Sequence, residues 1–306
     1  MKPVVASTAY LLISHGSRDP RPQVAMDRLA DLVRKHLEAT PQQAAAGNDT
    51  PRSQTRPLTE RTFFNSAIPH RAAERNKAAE RNKAADRTAL LTKPHLEKAP
   101  TASSKVIVGT ACLELSPIAL SEQIYEFGRR LQAAGVRELK LLPVFLMPGV
   151  HVTEDIPDEV EVARALLGDS LQLTLCPHLG SHTKISEVLA SRLAAVPAEG
   201  SLLVAHGSRK PRGNQAIKGL ANRLDTAVAY WSTPPDIETQ VIDLMQQGCQ
   251  RLAILPYFLF AGGITDAITH RTEELAERFP KVSFRLLPTL GATDEIASLA
   301  VELVNG

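Results

Sequence analysis

Apolar residues along this chain collect in short Leu-, Ile- and Val-rich runs, separated by longer segments in which apolar positions recur every three or four residues. Runs of the first kind predict strands buried on both faces, and segments of the second kind predict amphipathic helices packed against them. Strands are expected at 10–14, 105–109, 138–143 and 170–175, and again at 201–205, 226–230, 251–256 and 282–286. Helices fill the gaps, among them 21–38, 117–134 and 155–167, with Gly135 and Gly168 as stops. This alternation specifies an α/β protein of two similar halves, each a parallel sheet flanked by helices. Ligands of open parallel sheets bind beyond the carboxyl ends of the strands, so a cleft is expected there.

The halves are visible as a repeat. AYLLISHGSRDPRPQVAMDRLADLV near the start recurs as GSLLVAHGSRKPRGNQAIKGLANRL, placing His15 over His206. LKLLPVFLMPGVHVTEDI and LAILPYFLFAGGITDAI place Pro143 over Pro256, and LCPHLGSH and LLPTLGAT place Gly180 over Gly291. Three matches in one order indicate duplication. His15 to Pro143 spans 128 residues and His206 to Pro256 only 50, so the first copy carries about 78 extra residues. Most of the excess lies at about 40–104, where the chain turns polar and repeats six residues in AAERNKAAERNKAADR. Ala, Glu, Arg and Lys favour helix, but without an apolar stripe the segment cannot dock on a core. It reads as a solvated, partly helical or disordered insertion, with docking to an acidic partner as the functional alternative. The first half is therefore placed at 1–196 with this insertion and the second at 197–306, joined through VPAEGS at 196–201.

Composition narrows the function. With 43% hydrophobic and 22% charged residues in 306, the chain is that of a globular protein. A net charge of +2 is too small to imply a nucleic-acid partner. Cys112, Cys176 and Cys249 are far apart and form no CxxC pair, so they read as thiols of a reducing compartment. No apolar run approaches the ~20 residues needed to cross a bilayer, and the first residues are too weakly apolar for a signal peptide, so a cytoplasmic location is expected. No Gly-rich Walker loop is present, and an ATP-dependent step is not expected.

Three side chains beyond strand ends could carry chemistry. His15 follows LLIS and precedes Gly16, Ser17 and Arg18; His151 lies in PVFLMPGVHVTED after the third strand; Glu114 lies in TACLELSP after the second. Two imidazoles and a carboxylate on one sheet edge suit a borderline divalent ion with open coordination positions, and the same groups can accept protons. Each also has a plain structural account: an exposed or structural histidine, or a carboxylate at a helix start. Histidine phosphatases likewise place a His after their first strand, but with an Arg before it, where this chain has Ser14.

HGSR after the first strand, LE after the second, and PVFL followed by GxHV after the third resemble the sirohydrochlorin chelatases of the CbiX/SirB type, over nearly all of the chain outside 40–104. The resemblance implies a class II chelatase-like fold that inserts Fe2+, or Co2+ as the close second, into sirohydrochlorin in sirohaem or cobalamin biosynthesis. It implies no cofactor beyond the metal substrate, and it makes His15, Glu114 and His151 the catalytic and metal-handling residues. The substrate's carboxylates call for cations and close backbone approach, assigned to Gly16, Ser17, Arg18, Arg21, Gly149 and Arg209. In the second half His206 is kept, but Ile264 stands over His151 and Ser232 over Glu114. One metal centre is expected, in the first half, and internal duplication is compatible with a monomer. A non-catalytic tetrapyrrole or metal carrier is the alternative. His178, His182, His270 and Trp231 are read as capping, surface or packing residues, and His36, His70 and His95 lie outside any motif.

Overall fold

The computed structural model describes residues 7–39, 106–210 and 212–306. The insertion expected at 40–104 lies outside them.

In the first half, β1 (Thr8–Ser14), β2 (Ile107–Cys112), β3 (Glu138–Pro143) and β4 (Gln172–Leu175) form a parallel sheet in the order β2-β1-β3-β4. The second half repeats this with β5 (Gly200–Ala205), β6 (Ala227–Tyr230), β7 (Arg251–Pro256) and β8 (Ser283–Leu286), ordered β6-β5-β7-β8. Helices α1 (Pro20–Ala39), α2 (Leu120–Ala133), α3 (Ile156–Leu167) and α4 (Ile185–Ala194) follow the first four strands in turn. Helices α5 (Gln215–Arg223), α6 (Ile237–Gln246), α7 (Gly263–Arg278) and α8 (Asp294–Asn305) follow the other four. All eight expected strands are present, and the fold class is as the apolar pattern specifies.

Two boundaries differ for identifiable reasons. Strand β2 runs through Gly109 to Cys112, where the expected strand ended at Gly109. A side chain at 109 would meet the Phe127 ring of α2 at 2.9 Å, so this glycine makes room for a packed ring within the strand. Helix α3 is preceded by a single π-helical turn, His151–Asp155, which period counting does not reveal.

Alternate residues of the central strands feed different cores. Leu11 and Ile13 of β1 pack with Ile124 of α2 and Val160 of α3, and Leu202 and Val204 of β5 pack with Val241 of α6 and Ile268 of α7. The other faces share one layer, in which Tyr10, Leu12, Met26 and Val33 join Leu203, Leu255, Ile296 and Ala300. Polar ties cross the same boundary. Arg192 donates to the carbonyls of Thr289 and Leu290 at 2.9 Å, Lys140 Nζ donates to Val304 O at 2.7 Å, and Tyr257 Oη donates to Leu146 O at 3.3 Å. Lys184 bonds both carboxylate oxygens of Glu302, and Arg21 forks onto Asp266 at 3.0 and 2.6 Å. Arg21–Asp266 joins the start of α1 to the first turn of α7, and Lys184–Glu302 joins the start of α4 to the last turn of α8.

Gly180, after β4, donates its N–H to Phe145 O at 2.8 Å, and a Cβ there would lie 2.0 Å from Leu146 O. Since the obstacle is backbone, Gly180→Ala is expected to cost on the order of 1–3 kcal/mol, read as a lower urea midpoint at unchanged slope. An unaltered midpoint would mean that the loops after β3 and β4 are not packed this closely.

Hydrogen bonds from Arg21 and Lys184 hold Asp266 and Glu302 below their ordinary values of 3.8 and 4.5. A depressed carboxylate contributes stability that is complete above its ordinary value and is lost as pH falls through the folded one. Acidification from about pH 5 to pH 3 should therefore lower the melting temperature modestly, these groups being exposed, and the decline should be smaller in Glu302→Gln.

Candidate metal centre

The site begins where the ladder between β1 and β2 continues past the sheet. Leu113 N donates to Ser14 O and Glu114 N to His15 O, both at 2.9 Å. The next residue, Gly16, turns with φ 96°, and a Cβ on it would lie 2.0 Å from Glu114 O. Only glycine allows this approach, which fixes His15 and Glu114 side by side. On the other flank of β1, Val144 N donates to Ile13 O at 2.7 Å, and the chain runs on past Phe145 to the π-helical turn that carries His151.

His15 Nε2 lies 3.7 Å from Glu114 Oε2, and His151 Nε2 lies 4.0 Å from Glu114 Oε1. One ligand atom from each of the three residues falls within 4.8 Å of the others, the one such group among the described residues. These separations are too long for hydrogen bonds, but donors bound to one ion at ~2.0–2.2 Å stand about 3–4 Å apart. The imidazoles meet edge to face with centroids 4.9 Å apart, and the Phe145 ring stands 6.4 and 6.3 Å from them as an apolar flank.

The far nitrogen of each imidazole is occupied. His15 Nδ1 contacts Gly16 O at 3.3 Å, and His151 Nδ1 contacts Asp155 Oδ2 at 2.8 Å. Both partners are acceptors, so each ring donates from Nδ1 and turns the lone pair of Nε2 toward Glu114. Side chains of His15 and Glu114 are half exposed and that of His151 about a third, so the space between them opens to solvent.

The second half keeps the frame and changes the chemistry. Ser232 N donates to His206 O at 2.9 Å, as Glu114 N does to His15 O, and Gly207 turns with φ 86°. The backbone therefore places Ser232 at the Glu114 position. Its hydroxyl donates back to His206 O at 2.8 Å. Ile264 stands for His151; the extra residue of the π turn brings buried Ile156 over buried Ile268, so Ala267 stands for Asp155.

The remaining residues expected at the site divide. Ser17 Oγ accepts from Asp19 N at 3.0 Å and shapes the His15 loop. Arg18 and Arg209 are exposed and free of ion pairs among the described residues. Arg21 is held between Asp19 and Asp266, which raises its pKa, so it clasps two loops together. Gly149 stands in open space, and its carbonyl accepts from Val152 N and Thr153 N. His182 bonds Lys184 N and approaches Glu302 at 3.2 Å, His36 pairs with Asp294 and His270 with Glu273. Burial pushes the pKa of His178 down. His70 and His95 lie outside the described residues. A cavity of about 520 Å³, lined by Glu199, Asp225, Thr226 and Cys249, sits at the amino ends of β5 and β6, the end of the sheet opposite His206. Sequence reading overlooked Asp155, although its i+4 spacing from His151 in HVTED was visible.

The CbiX family model matches residues 95–196 and again 200–305. The chain is 22% identical over 186 residues to a sirohydrochlorin cobaltochelatase of Priestia megaterium, covering 56% of this chain and 60% of that protein. It is 23% identical over 191 residues to a sirohydrochlorin ferrochelatase of Bacillus subtilis (strain 168), covering 58% and 73%. The match thus spans about 60% of the length of the cobaltochelatase. In fold it is similar to SirB from Bacillus subtilis with Fe3+, at a TM-score of 0.62 and 15% identity over 98% of this chain and 94% of that one. It is also similar to a multi-domain protein of Deinococcus radiodurans with structural similarity to chelatases, at a TM-score of 0.60 and 14% identity over 98% and 55%. No described helix is long and apolar enough to cross a membrane. With two tandem matches covering more than half of its length, the chain belongs to the CbiX family.

Proposed function

We propose that this protein inserts a divalent metal, Fe2+ first and Co2+ next, into sirohydrochlorin without nucleotide, acting in the cytoplasm as a monomer built from two halves. The observation that carries the reading is the convergence of His15, Glu114 and His151 within 4.8 Å, each imidazole offering Nε2 to the shared space. Both curated relatives are sirohydrochlorin chelatases, one for each metal, which supports the substrate and leaves the choice between metals to experiment.

Insertion exchanges M2+ for the two pyrrole N–H protons of the ring, so the site must release a cation and accept protons. Two neutral imidazoles and one carboxylate leave the bound ion with a net positive charge and open positions, a hold weak enough to release it to four ring nitrogens. In this reading His15 and His151 pass the metal and take up the protons, and Glu114 offsets charge. Arg18 and Arg209 face the substrate's carboxylates, with Gly16, Ser17 and Gly149 forming the backbone wall. Arg21 contributes by holding the His15 loop against α7. The second half, with Ser232 and Ile264 in place of two ligands, serves as wall and support.

Anaerobic mixing of the protein with sirohydrochlorin and Fe2+ or Co2+, followed by the change in macrocycle absorbance, tests this. Acceleration over the protein-free control is expected. His15→Ala and His151→Ala should each lose about 100-fold or more in kcat/KM, whereas His206→Ala should keep most of it. Absence of acceleration would sink the enzyme reading, and ring or metal binding without turnover would favour a carrier. Equal losses at His15 and His206 would contradict a single centre.

A further inference from the structure

Resting on the reading above, we propose that Asp155 is a positioning residue for His151, holding its Nδ1 proton so that Nε2 stays directed at Glu114 and His15. Asp155 Oδ2 lies 2.8 Å from His151 Nδ1, close to the distance expected for a charge-assisted hydrogen bond. The contact is built on the π-helical turn His151–Asp155, closed by Ile156 N donating to His151 O. Widened turns of this kind are uncommon and concentrate at functional sites. The second half provides an internal control. Where His151 is replaced by Ile264, Asp155 is replaced by Ala267, the residue before the buried Ile268 that matches Ile156, and α7 begins as an ordinary helix at Gly263. Imidazole and carboxylate are thus kept together in one half and absent together in the other, although Asp155 itself does not face the shared space. A carboxylate behind a metal-binding imidazole fixes the ring and raises the basicity of the nitrogen that binds.

Co2+ titrated into the full-length protein by calorimetry reads this role apart from turnover. Asp155→Ala should weaken Co2+ binding about 10- to 100-fold, and Asp155→Asn, whose amide oxygen can still accept from Nδ1, should restore part of the loss. A melting temperature near that of the parent in both variants separates positioning from folding. If His151→Ala weakens Co2+ binding but Asp155→Ala does not, the positioning role is overturned alone. If His151→Ala binds Co2+ like the parent, the metal centre fails and the role of Asp155 with it.

A separate observation concerns Leu115, next to Glu114. It is 55% exposed, and its backbone is left-handed, with φ 59°. A bulky side chain is unfavourable there, and exposure of that side chain recovers no burial energy. The fold does not impose this conformation: at the matching position Thr233 has no positive φ, and its hydroxyl is turned inward. We infer that Leu115 is an apolar contact for the face of the tetrapyrrole ring, brought against it by the left-handed turn. Metal-free sirohydrochlorin titrated into the protein and followed by ring fluorescence tests this. Leu115→Gly suits the backbone and should keep the melting temperature near the parent's, yet weaken ring binding roughly five- to tenfold. Leu115→Met should bind as the parent does. Unchanged binding in Leu115→Gly would overturn the contact alone, whereas a parent protein that does not bind the ring would overturn the substrate reading and the contact with it.

Discussion

The carbonyl oxygen of Glu114 occupies the space that a side chain on residue 16 would need. This one close approach sets the spacing of the two loops that carry His15 and Glu114, and it follows from parallel strands that end level and a turn that only glycine can make. The register places Ser14 opposite Cys112 and Ile13 opposite Pro143, so the chain leaves β1, β2 and β3 at nearly the same height. Side chains from three distant stretches of sequence are thereby delivered to one edge before any ligand arrives. The same turn at Gly207 shows that the frame is a property of the repeat, while the groups mounted on it are not.

The second half is bound to the first by more than proximity. Its β5 and β7 share an apolar layer with β1 and α1, and Arg21 ties the loop after β1 to the start of α7. A copy that has replaced two of three ligand positions therefore still braces the loop carrying the third. Replacement of these groups and retention of structure are compatible because His15, Glu114 and His151 lie beyond the strand ends, away from the shared layer.

Much of this was legible in the sequence, and the failures have physical causes. The strands, the duplication and the triad were visible because buried parallel strands leave apolar runs, and because HGSR, LE and GxHV fall directly after three of them. The end of β2 was misplaced because Gly109 looks like a terminator, whereas the structure uses it to admit Phe127. The pairing of Glu114 with Ser232 was weak on sequence alone, since LELSP and WSTPP share little; the matching backbone bonds to His15 O and His206 O settle it. Asp155 looked like one more acidic residue at a helix start, because a single wide turn leaves no periodic trace. Arg21 was assigned to the substrate's carboxylates because its partner Asp266 lies 245 residues away.

Replacement of Glu114, His151 and Asp155 by Ser232, Ile264 and Ala267 has a consequence for any flat ligand lying against both halves. Two matched half-sites would accept such a ligand equally well turned over, and each would compete to load the same ring. With one half bearing the carboxylate and paired imidazoles and the other a serine hydroxyl, aliphatic groups and a lone imidazole, the two orientations differ in energy. For such a ligand, divergence of the copies would turn two matched strand edges into a front and a back.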